Sequence, residues 1–257
     1  MRLNSNFTVD MDRDDMDQTV AEISGIDVQV FRSVDEFAEQ ILPGPQQLNV
    51  GFAVAINPEK IMAARRDPDT RSALESATLR YADGAGVIWA MRRQGIRAPR
   101  VTGADLWERL MARAADCDVP VSLLGGKPEV LNMSVERLHE EFPSLEVAAS
   151  LHGYADDAEI TEFTKEIARM GRGIVAVAMG SPRQEKVIKS LRESCPDAFY
   201  MGVGGTFDCY SGVVRRAPDS WQRLNLEWFY RLLRQPWRIK RQLKLIPYAA
   251  LVLARRV

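Results

Sequence analysis

Three segments of this chain repeat one arrangement: a short apolar run, glycines, then the opening of a helix. They are VPVSLLGGKPEVLNMSVERLHEEF, GIVAVAMGSPRQEKVIKSLRES and AFYMGVGGTFDCYSG. Strands that alternate with helices argue for a parallel sheet wrapped by right-handed crossovers. The expected fold is therefore α/β: a Rossmann-like, mostly parallel sheet with flanking helices. In such sheets ligands sit beyond the carboxyl ends of the strands. That rule gathers Gly125, Gly126, Gly180, Ser181, Gly204 and Gly205 on one rim.

Earlier segments fit the same scheme. IDVQVF alternates as a strand, and SVDEFAEQIL continues as a helix from a Ser33 cap. LNVGFAVAI reads as a buried strand, and NPEKIMAARRD as a helix with Pro58 near its first turn. RSALESATLRYA predicts a helix leading into a short strand around Leu79–Ala82. GADLWERLMARAADC predicts an amphipathic helix with Leu106, Leu110 and Met111 on one side. At 257 residues the chain has room for one sizeable α/β domain and little more.

A glycine turn feeding a helix leaves backbone N–H groups near the positive end of a helix dipole, which suits a phosphate. GSPRQE adds Ser181 as a cap, Pro182 at the first helical position and Gln184 near the mouth. The plain alternative is that the glycines only let the chain turn. Neither nucleotide fingerprint is present: MGVGGTF has Phe207 where GxGxxG needs its third glycine, and there is no GxxxxGK[ST]. Asp83, in YADGAG, follows a short strand and is either turn chemistry or a carboxylate placed as a general base. Asn57 is either a helix cap or a hydrogen-bonding sugar ligand, and Arg100 either pairs with a surface acid or binds an anionic group. Asp12 and Asp14 form a DxD inside an acidic amino-terminal stretch, where they read as disordered charge. His139 and His152 stand apart from any metal-ligand or triad spacing, so no metal and no cofactor is expected.

Charge is divided unevenly. Residues 1–40 hold ten Asp/Glu against three Lys/Arg, whereas residues 213–257 hold eleven Lys/Arg against two Asp/Glu. The expected organisation is an acidic mobile tail over 1–22, an α/β catalytic domain over 23–212 and a basic helical appendage over 213–257. In the appendage one helix is expected over 220–234, with Trp221, Leu224, Trp228 and Leu232 on one face and Pro236 ending it. A second helix would set Ile239, Leu243 and Ile246 on one side and Arg238, Arg241 and Lys244 around another. A basic amphipathic helix with tryptophans suits an anionic membrane surface. No apolar run approaches the ~20 residues of a spanning helix. The amino terminus lacks the order of a secretory leader. Cys117, Cys195 and Cys209 are widely spaced and read as buried thiols in a reducing compartment. The expected location is cytoplasmic, peripheral on the inner face of the cell membrane.

Several motifs occur together in one order: NPEK, YADGAGV, RVTGADLWERLM, LLGGKPEV, AMGSPRQEK, YMGVGGTFD, VVRRAP and LEWFYRLLRQPWRIKRQL. In these the sequence resembles the WecG/TagA/CpsF family of bacterial glycosyltransferases, from about residue 25 to about residue 245. Within the family it is most similar to the branch that transfers N-acetylmannosaminuronic acid. Ala55 matches that branch, while Pro58 and the acidic tail depart from it. The resemblance implies an inverting, metal-independent transfer of a sugar from a UDP-sugar donor. The acceptor would be N-acetylglucosamine carried on undecaprenyl diphosphate, a polyprenyl-diphosphate-linked sugar. It implies Asp83 as base, Asn57, Arg100 and Gln184 as pocket residues, and Arg231, Arg238 and Arg241 near the lipid diphosphate. A hexosyltransferase of the same family, acting in exopolysaccharide synthesis, is the alternative. From a different class, a nucleic-acid-binding module could use the basic end, but the chain lacks an aromatic sheet platform or recognition helix. No nucleic acid is expected as a partner. A homo-oligomer is left open.

Overall fold

GFAVAI, residues Gly51–Ile56, is buried at every position, as a strand covered by helices on both faces must be. It is β3 in a computed structural model that describes residues 20–223, 226–234, 239, 243 and 245–254, with the backbone alone at Asp219, Arg223 and Arg231. The strands are β1 Val20–Ile23, β2 Ile26–Gln29, β3 Gly51–Ile56, β4 Leu79–Ala82, β5 Val121–Gly125, β6 Val147–Leu151, β7 Ile174–Ala178 and β8 Phe199–Gly202. They form one sheet in the order β1-β2-β4-β3-β8-β7-β5-β6. Every pairing is parallel except the β1–β2 hairpin. Its two-residue turn, Ser24 and Gly25, has positive φ at both positions, the backbone that matches strand twist.

The helices that follow the strands are α1 Val34–Ile41, α2 Pro58–Ala64, α3 Pro68–Glu75, α4 Ala85–Arg93, α5 Gly103–Asp116, α6 Pro128–Glu141, α7 Asp157–Met170, α8 Arg183–Ser194 and α9 Thr206–Tyr210. Side chains alternate along each strand, so two cores form. Ala53, Tyr81, Leu123, Ala176 and Met201 pack against α1, α5, α6 and α9. Phe52, Val54, Ile56, Val175 and Tyr200 pack against α2, α3, α4, α7 and α8. Local chemistry sets the helix starts. Ser33 caps α1, Asp67 caps α3, and Asp156 with Glu159 forms a capping box on α7.

Three expectations change here. Residues 20–22 belong to β1, so the expected tail gives way to sheet three residues sooner. Ala21 and Ile23 are buried, which is the apolar alternation that ties this strand down. Helix α8 begins at Arg183 with Pro182 in the cap position, and Ser181 makes no side-chain cap bond. The helix expected over 220–234 is divided into α10 Asp219–Arg223 and α11 Glu227–Arg234. Between them Leu226 is not helical, and its N–H bonds back to the Trp221 carbonyl at 2.8 Å. The division lets Trp221 meet Phe229 at 6.0 Å and Tyr230 at 5.7 Å between ring centroids. Trp228 is 46% exposed. Leu224, Pro236, Arg238, Arg241 and Lys244 lie outside the described residues.

The last described helix, α12 Ile246–Leu253, lies on α4. Tyr248 and Val252 enter the second core, and the Tyr248 hydroxyl donates to the Gly86 carbonyl at 3.2 Å. Among the described residues no helix is long and apolar enough to cross a membrane.

Candidate active site

Parallel strands end at one level, and the sheet uses this to assemble the rim. Ile56 pairs with Ala82, so Asn57 and Asp83 leave β3 and β4 side by side, and the Asp83 N–H bonds the Ile56 carbonyl at 2.9 Å. Gly84, at φ +89, then turns the chain into α4. The Asp83 carboxylate keeps 27% of its exposure, and its Oδ1 lies 3.7 Å from Arg100 Nε. Beside it the Tyr81 phenol is held well above its ordinary value, first by burial and then by the Asp83 charge. Tyr81 therefore stays protonated.

Arg100 reaches a second acid. Its Nη2 lies 3.0 Å from Oε2 of Glu227, a buried residue in the first turn of α11. The other Glu227 oxygen lies 4.0 Å from Arg216 Nε, and Arg216 also contacts Asp105 and Glu108. Alternating charges thus run from the end of β4 into the basic carboxyl-terminal segment. Among the described residues, the Nε atoms of Arg100 and Arg216 are both buried without a hydrogen-bond partner. Sequence reasoning missed Glu227 and Arg216. The signal for Glu227 was available, because it is the sole acid in residues 220–257.

The remaining candidates divide by what their atoms already do. Asn57 Oδ1 accepts the Lys60 N–H at 3.0 Å and caps α2, and among the described residues its amide N–H groups make no hydrogen bond. Gln184, expected near the mouth, is 2% exposed and faces inward. Its Oε1 accepts the Gly204 N–H and its Nε2 donates to Glu185, both at 3.0 Å. Gln184 extends under the β8 turn from the start of α8, where Gly202 leaves room for its amide. Gly125 is a packing glycine: a Cβ there would lie 2.3 Å from the Ala178 carbonyl oxygen. The Gly126 N–H is spent on that same carbonyl at 3.0 Å. Gly180 and Gly204, at φ +73 and +57, have open space where a side chain would stand. Among the described residues, the N–H groups of Gly180 and Gly205 make no hydrogen bond within the protein. Ser181 and Gly205 are exposed. Arg231 lies on α11, and its side chain, like Arg238 and Arg241, lies outside the described residues. No group of metal-ligating side chains occurs among the described residues. A cavity of about 110 Å³ lined by Gln40, Asn49, Thr78 and Phe199 sits at the amino ends of the strands, away from this rim.

The model of the Glycosyl transferase WecG/TagA/CpsF family matches residues 21–257. The chain belongs to that family. It is a glycosyltransferase, and a sugar donor and an acceptor are its substrates. For this glycosyltransferase the match includes the carboxyl-terminal helices as well as the sheet. That extent agrees with the Arg100–Glu227 contact, which makes the two parts neighbours at the site.

Proposed function

We propose that this glycosyltransferase moves N-acetylmannosaminuronic acid, or N-acetylmannosamine, from UDP to N-acetylglucosamine carried on undecaprenyl diphosphate, with inversion and without a metal. The observation that carries it is the position of Asp83. This carboxylate is partly exposed at the end of β4, next to the Asn57 amide, and is joined through Arg100 to the basic segment.

In the proposed reaction Asp83 accepts the proton of the acceptor hydroxyl as that oxygen attacks the anomeric carbon. The new glycosidic bond forms as the bond from that carbon to the phosphate oxygen breaks, and UDP leaves with the electron pair. The Gly180 and Gly205 N–H groups and the start of α8 supply donors for the developing phosphate charge. Arg100 meets the diphosphate or a uronic acid carboxylate, either of which a guanidinium binds bidentately. Arg231, Arg238 and Arg241 are proposed to grip the acceptor's diphosphate. Membrane docking on the inner leaflet is supported by exposed apolar side chains of the same segment: Trp228, Phe229, Leu233, Ile239, Leu243 and Ile246. An apolar face with arginines around it suits an anionic lipid surface.

The test is transfer from UDP-N-acetylmannosaminuronic acid to undecaprenyl-diphosphate-linked N-acetylglucosamine in anionic liposomes, with the product's anomeric configuration read by NMR. The expected product carries the inverted linkage. Absence of product from the wild type with either named donor would refute the substrate assignment. Undiminished product from Asp83→Asn would refute the base.

A further inference from the structure

Below the rim, Lys60 on α2 and Glu185 on α8 form an ion pair of 2.8 Å whose side chains retain 5% and 1% of their exposure. The same Glu185 oxygen accepts from Gln184 Nε2 at 3.0 Å, and Gln184 Oε1 accepts the Gly204 N–H at 3.0 Å. Polarity along this chain has one solution. A carboxylate only accepts and a backbone N–H only donates, so a flipped Gln184 amide would set oxygen against oxygen and N–H against N–H. Gly202 makes room for the amide, because a Cβ there would lie 2.5 Å from Gln184 Nε2.

Burying two charges is a poor way to gain stability, since desolvation offsets most of their attraction. The pair's effect is to specify one arrangement of Gln184 and, through it, of the turn after β8. We propose that Lys60 and Glu185 are positioning residues for the diphosphate of the donor. By locking Gln184 they hold the Gly204–Gly205 turn in the shape that spends the Gly204 N–H internally and leaves the Gly205 N–H for phosphate. The donor here is the UDP-sugar of the proposed reaction, on which the inference rests. Gln184 accordingly acts through the turn rather than as a sugar ligand.

The full-length double variant Lys60→Met/Glu185→Leu tests this. It replaces the ion pair by apolar groups, an exchange that is often neutral for folding or favours it, and it deletes the acceptor that orients Gln184. Amide exchange at Gly204, read by NMR without substrate, is expected to accelerate about tenfold as that local bond opens. kcat/KM for the UDP-sugar is expected to fall about tenfold, with KM and kcat both contributing, because the Gly205 N–H meets the diphosphate in the ground state and its added charge as UDP leaves. Lys60→Met/Glu185→Gln retains a carbonyl acceptor beside Gln184 and is expected to recover most of both effects. Equal losses in the two double variants, following a shared fall in Tm, would overturn the proposal in favour of mere packing. Unchanged Gly204 exchange in Lys60→Met/Glu185→Leu would overturn the strut itself. Accelerated exchange in a protein whose wild type uses no UDP-sugar would overturn the donor assignment alone.

Discussion

Arg100 and Glu227 lie 127 positions apart in the chain and meet at 3.0 Å, so that a helix of the basic segment is bonded to the same guanidinium that faces Asp83. Glu227 keeps 7% of its side-chain exposure and stands between Arg100 and Arg216. Removing one partner of a buried pair costs about 3–5 kcal/mol, because the other charge stays behind. Glu227→Ala is therefore expected to loosen α11 before the sheet. Hydrogen exchange over residues 226–234 should quicken at least ~100-fold while exchange in β3, β7 and β8 is unchanged. Unaltered exchange in α11 would mean that its apolar contacts alone hold it.

Asp83→Asn removes the proposed proton acceptor but keeps the side chain's size. General base catalysis contributes roughly 10²–10⁴-fold, so kcat should fall by about 10³-fold. UDP binding, read by calorimetry, should stay within about threefold, because no binding donor is removed. A kcat loss under about tenfold would place the base elsewhere.

Asn57 has two separable duties. Asp caps helices as well as Asn does, so Asn57→Asp should leave Tm nearly unchanged while removing the amide N–H groups and adding a charge beside Asp83. Asn57→Ala should lower stability by about 1 kcal/mol through loss of the cap on α2. If Asn57 also touches the sugar, the KM for the donor rises about tenfold in both variants, a loss of about 1.4 kcal/mol. An Asn57→Asp enzyme with wild-type KM would restrict the residue to capping.

Gly86 governs how α12 seats on α4. A Cβ there would lie 2.5 Å from Cγ of Pro58, a rigid ring, and 3.3 Å from the Tyr248 ring. Overpacking of this kind costs about 1–3 kcal/mol. Gly86→Ala should lower Tm by several degrees, at about 2–4 °C per kcal/mol for a chain of this length, despite alanine's helix propensity. An unchanged or raised Tm would show that α2 and α12 shift to accommodate the methyl.

Much of the scaffold was legible because its signals are local. Apolar runs, glycine turns, and the Ser33 and Asn57 caps are properties of a few neighbouring residues, and β3, β5, β7, β8, α1, α2 and α5 form where those patterns lie. Helix α4 and strand β6 carried weaker signals. DGAGVIWAMRR opens α4 on a glycine with no side-chain cap, and β6 at the sheet edge is only partly buried. The placement of Asp83 on the rim was legible through the strand before it. The inward turn of Gln184 was not, because nothing in GSPRQE distinguishes a side chain aimed at a ligand from one aimed at the β8 turn.

By itself the sequence determined the parallel sheet, the rim at its carboxyl edge and the family, since each follows from short-range pattern or from motifs in order. Only tertiary structure decided which charges and buried polar groups meet. Arg100 with Glu227, Lys60 with Glu185 and Gln184 with Gly204 are each brought together by strand order and helix crossovers. A buried charge has to find its counter-charge wherever the fold places it, whatever the distance along the chain.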